Sequence, residues 1–139
     1  MLKTKTLLAT LALGIAFAGP AFAEKLKATL DGKSETPPNA STATGTADID
    51  YDAATKKLTW KLTYSGLTGP ATAAHFHGPA EAGKNAGVAV AIPNATTSPN
   101  EGSATLTDAQ AADFLAGKYY VNVHTAANPG GEIRGQVTK

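Results

Sequence analysis

Residues 58–64 read Leu-Thr-Trp-Lys-Leu-Thr-Tyr, with an apolar or aromatic side chain at every second position. Side chains of a β-strand point alternately to its two faces, so this pattern predicts a strand with one face buried. Residues 42–51 alternate in the same way, and residues 52–56 are the expected turn between the two strands. Together these stretches indicate a sheet of short, half-buried strands.

Six further stretches resemble strands and are separated by Gly, Pro, Asn and Asp, the residues that favour turns. They are residues 26–30, 72–77, 88–92, 103–106, 118–125 and 132–138. Seven or eight short strands in a chain of this length predict an all-β sandwich or small barrel.

One short helix is expected to interrupt the strands. Thr107 followed by Gln110 fits a capping box, in which the threonine hydroxyl accepts a backbone N–H bond and the glutamine reaches back. Gly117 is placed to end the helix in a left-handed conformation. We expect Phe114 and Leu115 to pack this helix against the sheet.

The N-terminus has the order of a secretory signal peptide. Lys3 and Lys5 precede an uncharged apolar run over residues 7–17, and Ala-Phe-Ala follows at residues 21–23. The run is too short to span a membrane comfortably. We therefore expect residues 1–23 to be removed, leaving residues 24–139 as one periplasmic or secreted domain that is not inserted in a membrane.

The charge balance argues against nucleic acid as a partner. The chain has a net charge of +1, from 12 basic and 11 acidic residues, and loss of Lys3 and Lys5 leaves ten basic residues and a charge of about −1. No basic surface that could neutralise phosphates is expected. Cysteine is absent and the single methionine is Met1, so the chain lacks thiolate and thioether metal ligands after cleavage.

Two of the three histidines, His75 and His77, are one residue apart in a predicted strand. Residues i and i+2 of a strand share a face and lie roughly 6 to 7 Å apart, so two imidazoles can converge on one ion. Phe76 is expected on the opposite, core face with Ala74 and Thr72. This places both histidines on the outer surface of the sheet, where solvent and small molecules can reach them.

The third histidine, His124, ends the run at residues 119–124 within the predicted strand at residues 118–125. The odd-numbered positions of this stretch are apolar or aromatic and are expected in the core, which puts Tyr120, Asn122 and His124 on the other face. If the two strands are neighbours, the three histidine rings can meet. Tyr120 and Asn122 are then either neighbours of a metal or ordinary polar residues of an outer face.

Three histidines on matching faces predict a metal site. Imidazole suits copper, zinc, iron and nickel, and without cysteine or methionine a blue-copper centre and a thioether copper carrier are excluded. A copper redox site and a zinc-bound water both remain compatible with three histidines and an open position. We predict copper, with zinc as the alternative, while ordinary exposed strand residues are the simpler interpretation. A nucleophilic hydrolase is disfavoured because the chain has neither a Gly-x-Ser-x-Gly elbow nor a cysteine.

Three motifs resemble the CHRD domain, a family named after chordin. They are His-Phe-His-Gly-Pro-Ala at residues 75–80, Tyr-Val-Asn-Val-His-Thr at residues 120–125 and Gly-Gly-Glu-Ile-Arg-Gly-Gln-Val at residues 130–137. The resemblance covers nearly the whole expected mature chain. It implies an immunoglobulin-like Greek-key barrel with limited similarity to copper-zinc superoxide dismutases. Chordin itself is a cysteine-rich multidomain protein, whereas this chain is a single domain without cysteine.

The similarity to the dismutases implies roles for individual residues. His75 and His77 match a copper-binding pair, His124 matches a late copper histidine, and Arg134 matches an arginine that attracts the substrate anion. No histidine is left for a second metal, so a single-metal site is implied. Glu132 lies two residues before Arg134 on the same strand face, and the two form either an exposed ion pair or a pair that orients a metal ligand.

Three functions follow from these observations. The first is a copper protein that dismutates superoxide by alternate reduction and reoxidation of the metal, with Arg134 as the catalytic residue that attracts the anion. The second is copper buffering or delivery without catalysis. The third is an extracellular protein-interaction module that binds no metal.

Overall fold

The structure is a computed structural model that describes residues 23–139. The expected signal peptide lies outside the described residues except for Ala23, so its cleavage stays a prediction. Within residues 23–139, no helix is both long enough and apolar enough to cross a lipid bilayer.

The described residues form eight strands and one short helix. The strands are β1 (Glu24–Asp31), β2 (Thr44–Asp52), β3 (Lys57–Ser65), β4 (Ala71–His77), β5 (Val88–Ile92), β6 (Asn100–Thr105), β7 (Tyr120–Thr125) and β8 (Ile133–Gln136), and helix α1 (Asp108–Leu115) lies between β6 and β7. The predicted all-β fold of seven or eight strands with one helix is confirmed.

All strands belong to one antiparallel sheet in the order β5-β4-β7-β8-β1-β2-β3-β6. The chain crosses from one end of this order to the other between β3 and β4, and again between β5 and β6. The sheet curls until its halves face each other, so Trp60 of β3 contacts Phe76 of β4 with ring centroids 5.4 Å apart. The result is a nearly closed barrel.

The core follows the predicted alternation on β3. Leu58, Trp60 and Leu62 are buried while the residues between them are exposed. Gly102 of β6 lies opposite Trp60, and a Cβ atom at Gly102 would come within 2.5 Å of the indole ring. Glycine at this position therefore makes room for the largest side chain of the core.

Helix α1 has the predicted capping box. The backbone N–H of Gln110 donates to the Thr107 hydroxyl at 3.2 Å, and the Thr107 N–H donates to the Gln110 side chain at 3.0 Å. Gly117 has a positive φ of 77°, as expected after a helix end. Phe114 is fully buried, but Leu115 is 38% exposed, so its predicted packing is wrong. Consecutive helical residues point about 100° apart, and only one of the two can face the sheet.

Strand β4 has an irregularity near its start. The pairing register with β7 shifts between Ala71 and Ala73, so Ala71 is buried and Thr72 is exposed. The predicted core position of Thr72 is therefore wrong, while those of Ala74 and Phe76 are confirmed. A second irregularity, in the pairing with β5, lies between Phe76 and His77, but in the pairing with β7 the register is regular from Ala73 to His77 and places the two β4 histidines on one face.

Candidate metal site

Strands β4 and β7 are hydrogen-bonded neighbours, as the convergence of the histidines requires. In their register His75 lies opposite Asn122, His77 opposite Tyr120, and Ala73 opposite His124. The three histidines therefore share the face of the sheet that points away from the barrel core.

The three histidine rings meet at one point. One ring nitrogen from each of His75, His77 and His124 lies within 4.8 Å of the others. His75 Nδ1 is 3.1 Å from His124 Nε2, and the ring centroids of His75 and His77 are 5.3 Å apart. In the part of the chain that the structure describes, these histidines form the one cluster of three or more residues with this geometry.

The cluster is more deeply buried than the sequence predicts. His77 is 8% exposed and His124 is 9% exposed, and His75 is half-buried. The expectation of an open outer surface is therefore wrong for His77 and His124. The connection between β4 and β5 covers His77, and the connection between β7 and β8 covers His124. His75 remains the most accessible of the three rings.

Backbone carbonyl groups fix two of the rings. His77 Nδ1 lies 2.9 Å from the Ala86 carbonyl oxygen, and His124 Nδ1 lies 2.9 Å from that of Pro129. A carbonyl oxygen only accepts, so each Nδ1 carries a proton and donates it. In a neutral ring the lone pair is then on Nε2. Metal-binding histidines commonly have this arrangement, because the outer hydrogen bond sets the ring's tautomer and orientation.

Asn122 joins the cluster to a buried carboxyl group. Its Oδ1 lies 2.9 Å from His77 Nε2, and its side chain lies close enough to Glu35 to lower the pKa of that carboxyl group. Glu35 is 6% exposed. Burial raises the pKa of Glu35 to about 7, against the opposing effects of the Arg134 charge and of hydrogen bonds. Sequence reasoning missed Glu35, since it lies in a polar, proline-containing loop with no motif around it.

Tyr120 and Arg134 form a stack behind His77. The rings of Tyr120 and His77 are nearly parallel with centroids 4.8 Å apart, and Arg134 Cζ lies 3.4 Å from the centroid of Tyr120 on its face. Arg134 is only 2% exposed, and it donates to the Asn85 side chain at 3.0 Å and to the Lys84 carbonyl oxygen. Tyr120 is thus a direct neighbour of the histidines, and Arg134 lies one layer further away.

Glu132 is fully buried, so the alternative of an exposed ion pair with Arg134 is wrong. Its carboxylate accepts hydrogen bonds from the Thr68 backbone and side chain, from Thr125 Oγ1 at 3.2 Å and from Asn128 Nδ2 at 3.0 Å. Burial alone would raise the pKa of Glu132, but these hydrogen bonds outweigh it and the pKa is lowered. Glu132 therefore anchors the loop that covers His124.

The environment keeps two of the rings neutral. Burial lowers the pKa of His75 and of His77, and repulsion from neighbouring histidines lowers both further, although hydrogen bonds to His77 act in the opposite direction. A metal ion binds the unprotonated ring, so a lowered pKa favours the form that can coordinate at neutral pH.

These features define an all-β barrel domain with a largely buried cluster of three histidines on the sheet face that points away from the core. The chain belongs to the CHRD domain family, whose profile matches residues 26–137. Membership in this family classifies it as a protein-interaction type of domain, of a kind that occurs in extracellular proteins. No curated protein and no solved structure matches the chain, so the comparisons give no support to the implied similarity to copper-zinc superoxide dismutases.

Proposed function

We propose that this CHRD domain binds one copper ion through His75, His77 and His124. The observation that carries the proposal is the orientation of the rings. His77 and His124 donate from Nδ1 to backbone carbonyl groups, which leaves Nε2 as the nitrogen for a metal, and one nitrogen of His75 lies beside them. Coordination through Nε2 of His77 would require the side chain of Asn122, whose Oδ1 lies 2.9 Å from that nitrogen, to move aside.

The donor set favours copper over the other common metals. The cluster consists of imidazole nitrogens alone, whereas calcium and magnesium require oxygen ligands. Among divalent first-row ions, copper binds a given nitrogen site most tightly, and zinc is the next candidate. Buffering or delivery of copper needs only this affinity.

Metal titration of the purified domain tests the proposal. We expect Cu(II) affinity in competition with a chelator to fall at least tenfold in His75→Ala, because this variant removes one ligand. His75 is the best position to change, since it is half-buried and its one side-chain hydrogen bond is to His124. Thr72→Ala, an exposed position on the same strand, is the matched control and should bind as the parent does.

The alternative is an interaction module in which the histidines only stabilise the fold. Under this alternative the parent binds no copper at stoichiometric concentration, or His75→Ala, His77→Ala and His124→Ala all bind as the parent does. Either result would overturn the proposed metal site. Thermal melts of the three variants should accompany the titrations, because His77 and His124 are buried and hydrogen-bonded.

Superoxide dismutation is a second candidate, favoured by the partial exposure of His75, which leaves a side of the cluster that a small anion can approach. The guanidinium group of Arg134 is buried and engaged with Tyr120, Asn85 and Lys84, so attraction of the anion is the weaker part of this candidate. Pulse radiolysis of the copper-loaded domain should show faster superoxide decay than the metal-free domain. Equal decay rates would leave buffering or delivery.

We also propose export with cleavage between Ala23 and Glu24. Strand β1 begins at Glu24, which pairs with Tyr51 of β2, so cleavage there leaves the first strand complete. The intact mass of the exported protein should correspond to residues 24–139. A mass that includes residues 1–23 would refute both the cleavage and the periplasmic or secreted location.

A further inference from the structure

We infer that the buried charge of Arg134 makes this site prefer Cu(I) to divalent ions. The inference rests on the proposed copper site at His75, His77 and His124 and assigns it an oxidation state. It also gives Arg134 a role as a positioning residue that acts on the metal through Tyr120, without contact with an incoming anion.

The positive charge of Arg134 has no carboxylate bound to it. A guanidinium group stays protonated in proteins, and buried charges are usually paired. Arg134 instead donates to the neutral side chain of Asn85 and to the carbonyl oxygen of Lys84. None of the salt bridges among residues 23–139 includes Arg134. No directly bound carboxylate therefore neutralises its charge.

The charge of Arg134 is separated from the histidine cluster by buried side chains, chiefly by the ring of Tyr120. Arg134 Cζ lies 3.4 Å from the centre of the Tyr120 ring, and the opposite neighbour of Tyr120 is His77, with ring centroids 4.8 Å apart. Tyr120 is itself buried. Because side chains rather than water fill the space between the two groups, solvent and salt screen their interaction only weakly.

The three histidine ligands do not offset the positive charge of Arg134. Three imidazoles contribute no negative charge, and no carboxylate belongs to the cluster that the described residues form. A divalent ion would place two positive charges near the guanidinium group, whereas Cu(I) places one. Charge repulsion is therefore about twice as large for Cu(II) or Zn(II) as for Cu(I). Three nitrogen ligands also suit Cu(I), which accepts low coordination numbers.

Glu35 is an acidic group near enough to oppose Arg134, because the charge of Arg134 lowers the pKa of its carboxyl group. When ionised, Glu35 favours the divalent ions, so its effect on the preference is opposite to that of Arg134. The two residues therefore provide a pair of variants, Arg134→Gln and Glu35→Gln, with expected shifts of opposite sign. Changes that only loosened the fold would not produce opposite shifts.

The experiment measures affinities of the domain for Cu(I), Cu(II) and Zn(II) with competing chelators at about pH 8, where most of a carboxyl group with the pKa of Glu35 is ionised. In Arg134→Gln we expect the ratio of Cu(II) to Cu(I) affinity to rise about tenfold, equivalent to a fall of about 59 mV in the copper potential. Zn(II) affinity should rise with that of Cu(II). Arg134→Lys keeps the charge and should keep the ratio near that of the parent, whereas Glu35→Gln should lower it.

The outcomes separate this inference from the proposed function. If the parent binds none of the three ions, the copper site itself is wrong. If the parent binds copper but Arg134→Gln leaves the ratio unchanged, or shifts it in the same direction as Glu35→Gln, the role of Arg134 is refuted. Should Arg134→Gln fail to fold, Glu35→Gln decides alone, and a ratio that does not fall refutes the inference.

Discussion

Replacement of Glu132 by glutamine should destabilise the domain by about 2 kcal/mol. Glutamine has nearly the same shape as glutamate, so the change removes a charge and converts one acceptor oxygen into a donor group. One carboxylate oxygen accepts from the side chains of Thr68, Thr125 and Asn128, and the Thr68 backbone N–H is shared between this oxygen at 3.3 Å and the other at 3.1 Å. If the amide oxygen keeps the three side-chain bonds, the NH₂ group faces the Thr68 N–H, which loses the shorter of its two bonds and meets a second donor.

The magnitude follows from that lost bond. Loss of the better partner of a buried donor, which then faces a second donor, costs about 1 to 3 kcal/mol, and the remaining bonds weaken because hydrogen bonds to a charged acceptor are stronger than those to a neutral one. Relief from burying the charge offsets part of the loss. With a urea dependence of about 1 to 3 kcal/mol per M, typical of small domains, we expect the unfolding midpoint to fall by about 1 M.

Urea unfolding of Glu132→Gln beside Glu101→Gln, an exposed position on β6, is the assay. The control should stay within about 0.5 kcal/mol of the parent. The lowered pKa of Glu132 means that its contribution to stability is present above the unfolded pKa of about 4.3 and is lost as the pH falls through the folded pKa. The difference between parent and Glu132→Gln should therefore shrink below about pH 4. Equal midpoints for the two variants at neutral pH would refute the reasoning.

Two further substitutions and one pH titration have expected outcomes. Gly135→Ala should prevent stable folding, because its Cβ would lie 2.2 Å from a backbone oxygen of β1, whereas Gly69→Ala meets no atom within 4 Å and should be tolerated; soluble yield and thermal melts compare them. Phe114→Ala should cost about 3 to 5 kcal/mol in urea unfolding, and Leu115→Ala, at an exposed site, much less. The NMR titration of His75 in the metal-free domain should have its midpoint below about 6.5, and copper affinity should fall as the pH drops through that range.

Local patterns predicted most of the fold. The alternation at residues 58–64 and the capping box at Thr107 act over a few residues, so they can be recognised without knowledge of the tertiary structure. The same holds for His75 and His77, whose shared face follows from the geometry of one strand. The irregularity that turns Thr72 outward depends on pairing with β7 and leaves no trace in the local pattern.

The burial of the site could not be predicted in this way. Polar residues on the outer face of a strand have the same sequence pattern whether water or a loop covers them, and for that reason Glu132 and Arg134 fitted an exposed ion pair. Glu35 reaches Asn122 from a distant part of the chain, through the folding of a loop that has no regular pattern. Contacts of this kind are set by loop packing, which alternation and spacing do not encode.

Strand β7 is buried along its whole length, with the barrel core on one side and the polar cluster on the other. Its amide protons should therefore be among the slowest in the domain to exchange with deuterium, since their exposure requires opening of the central part of the sheet. The loop over His124 can open at a lower free energy than the strand beneath it. The rates at which a ligand binds to and leaves the histidines should then follow the rate of amide hydrogen exchange of residues 126–131. Mutations that speed global unfolding should not change these rates.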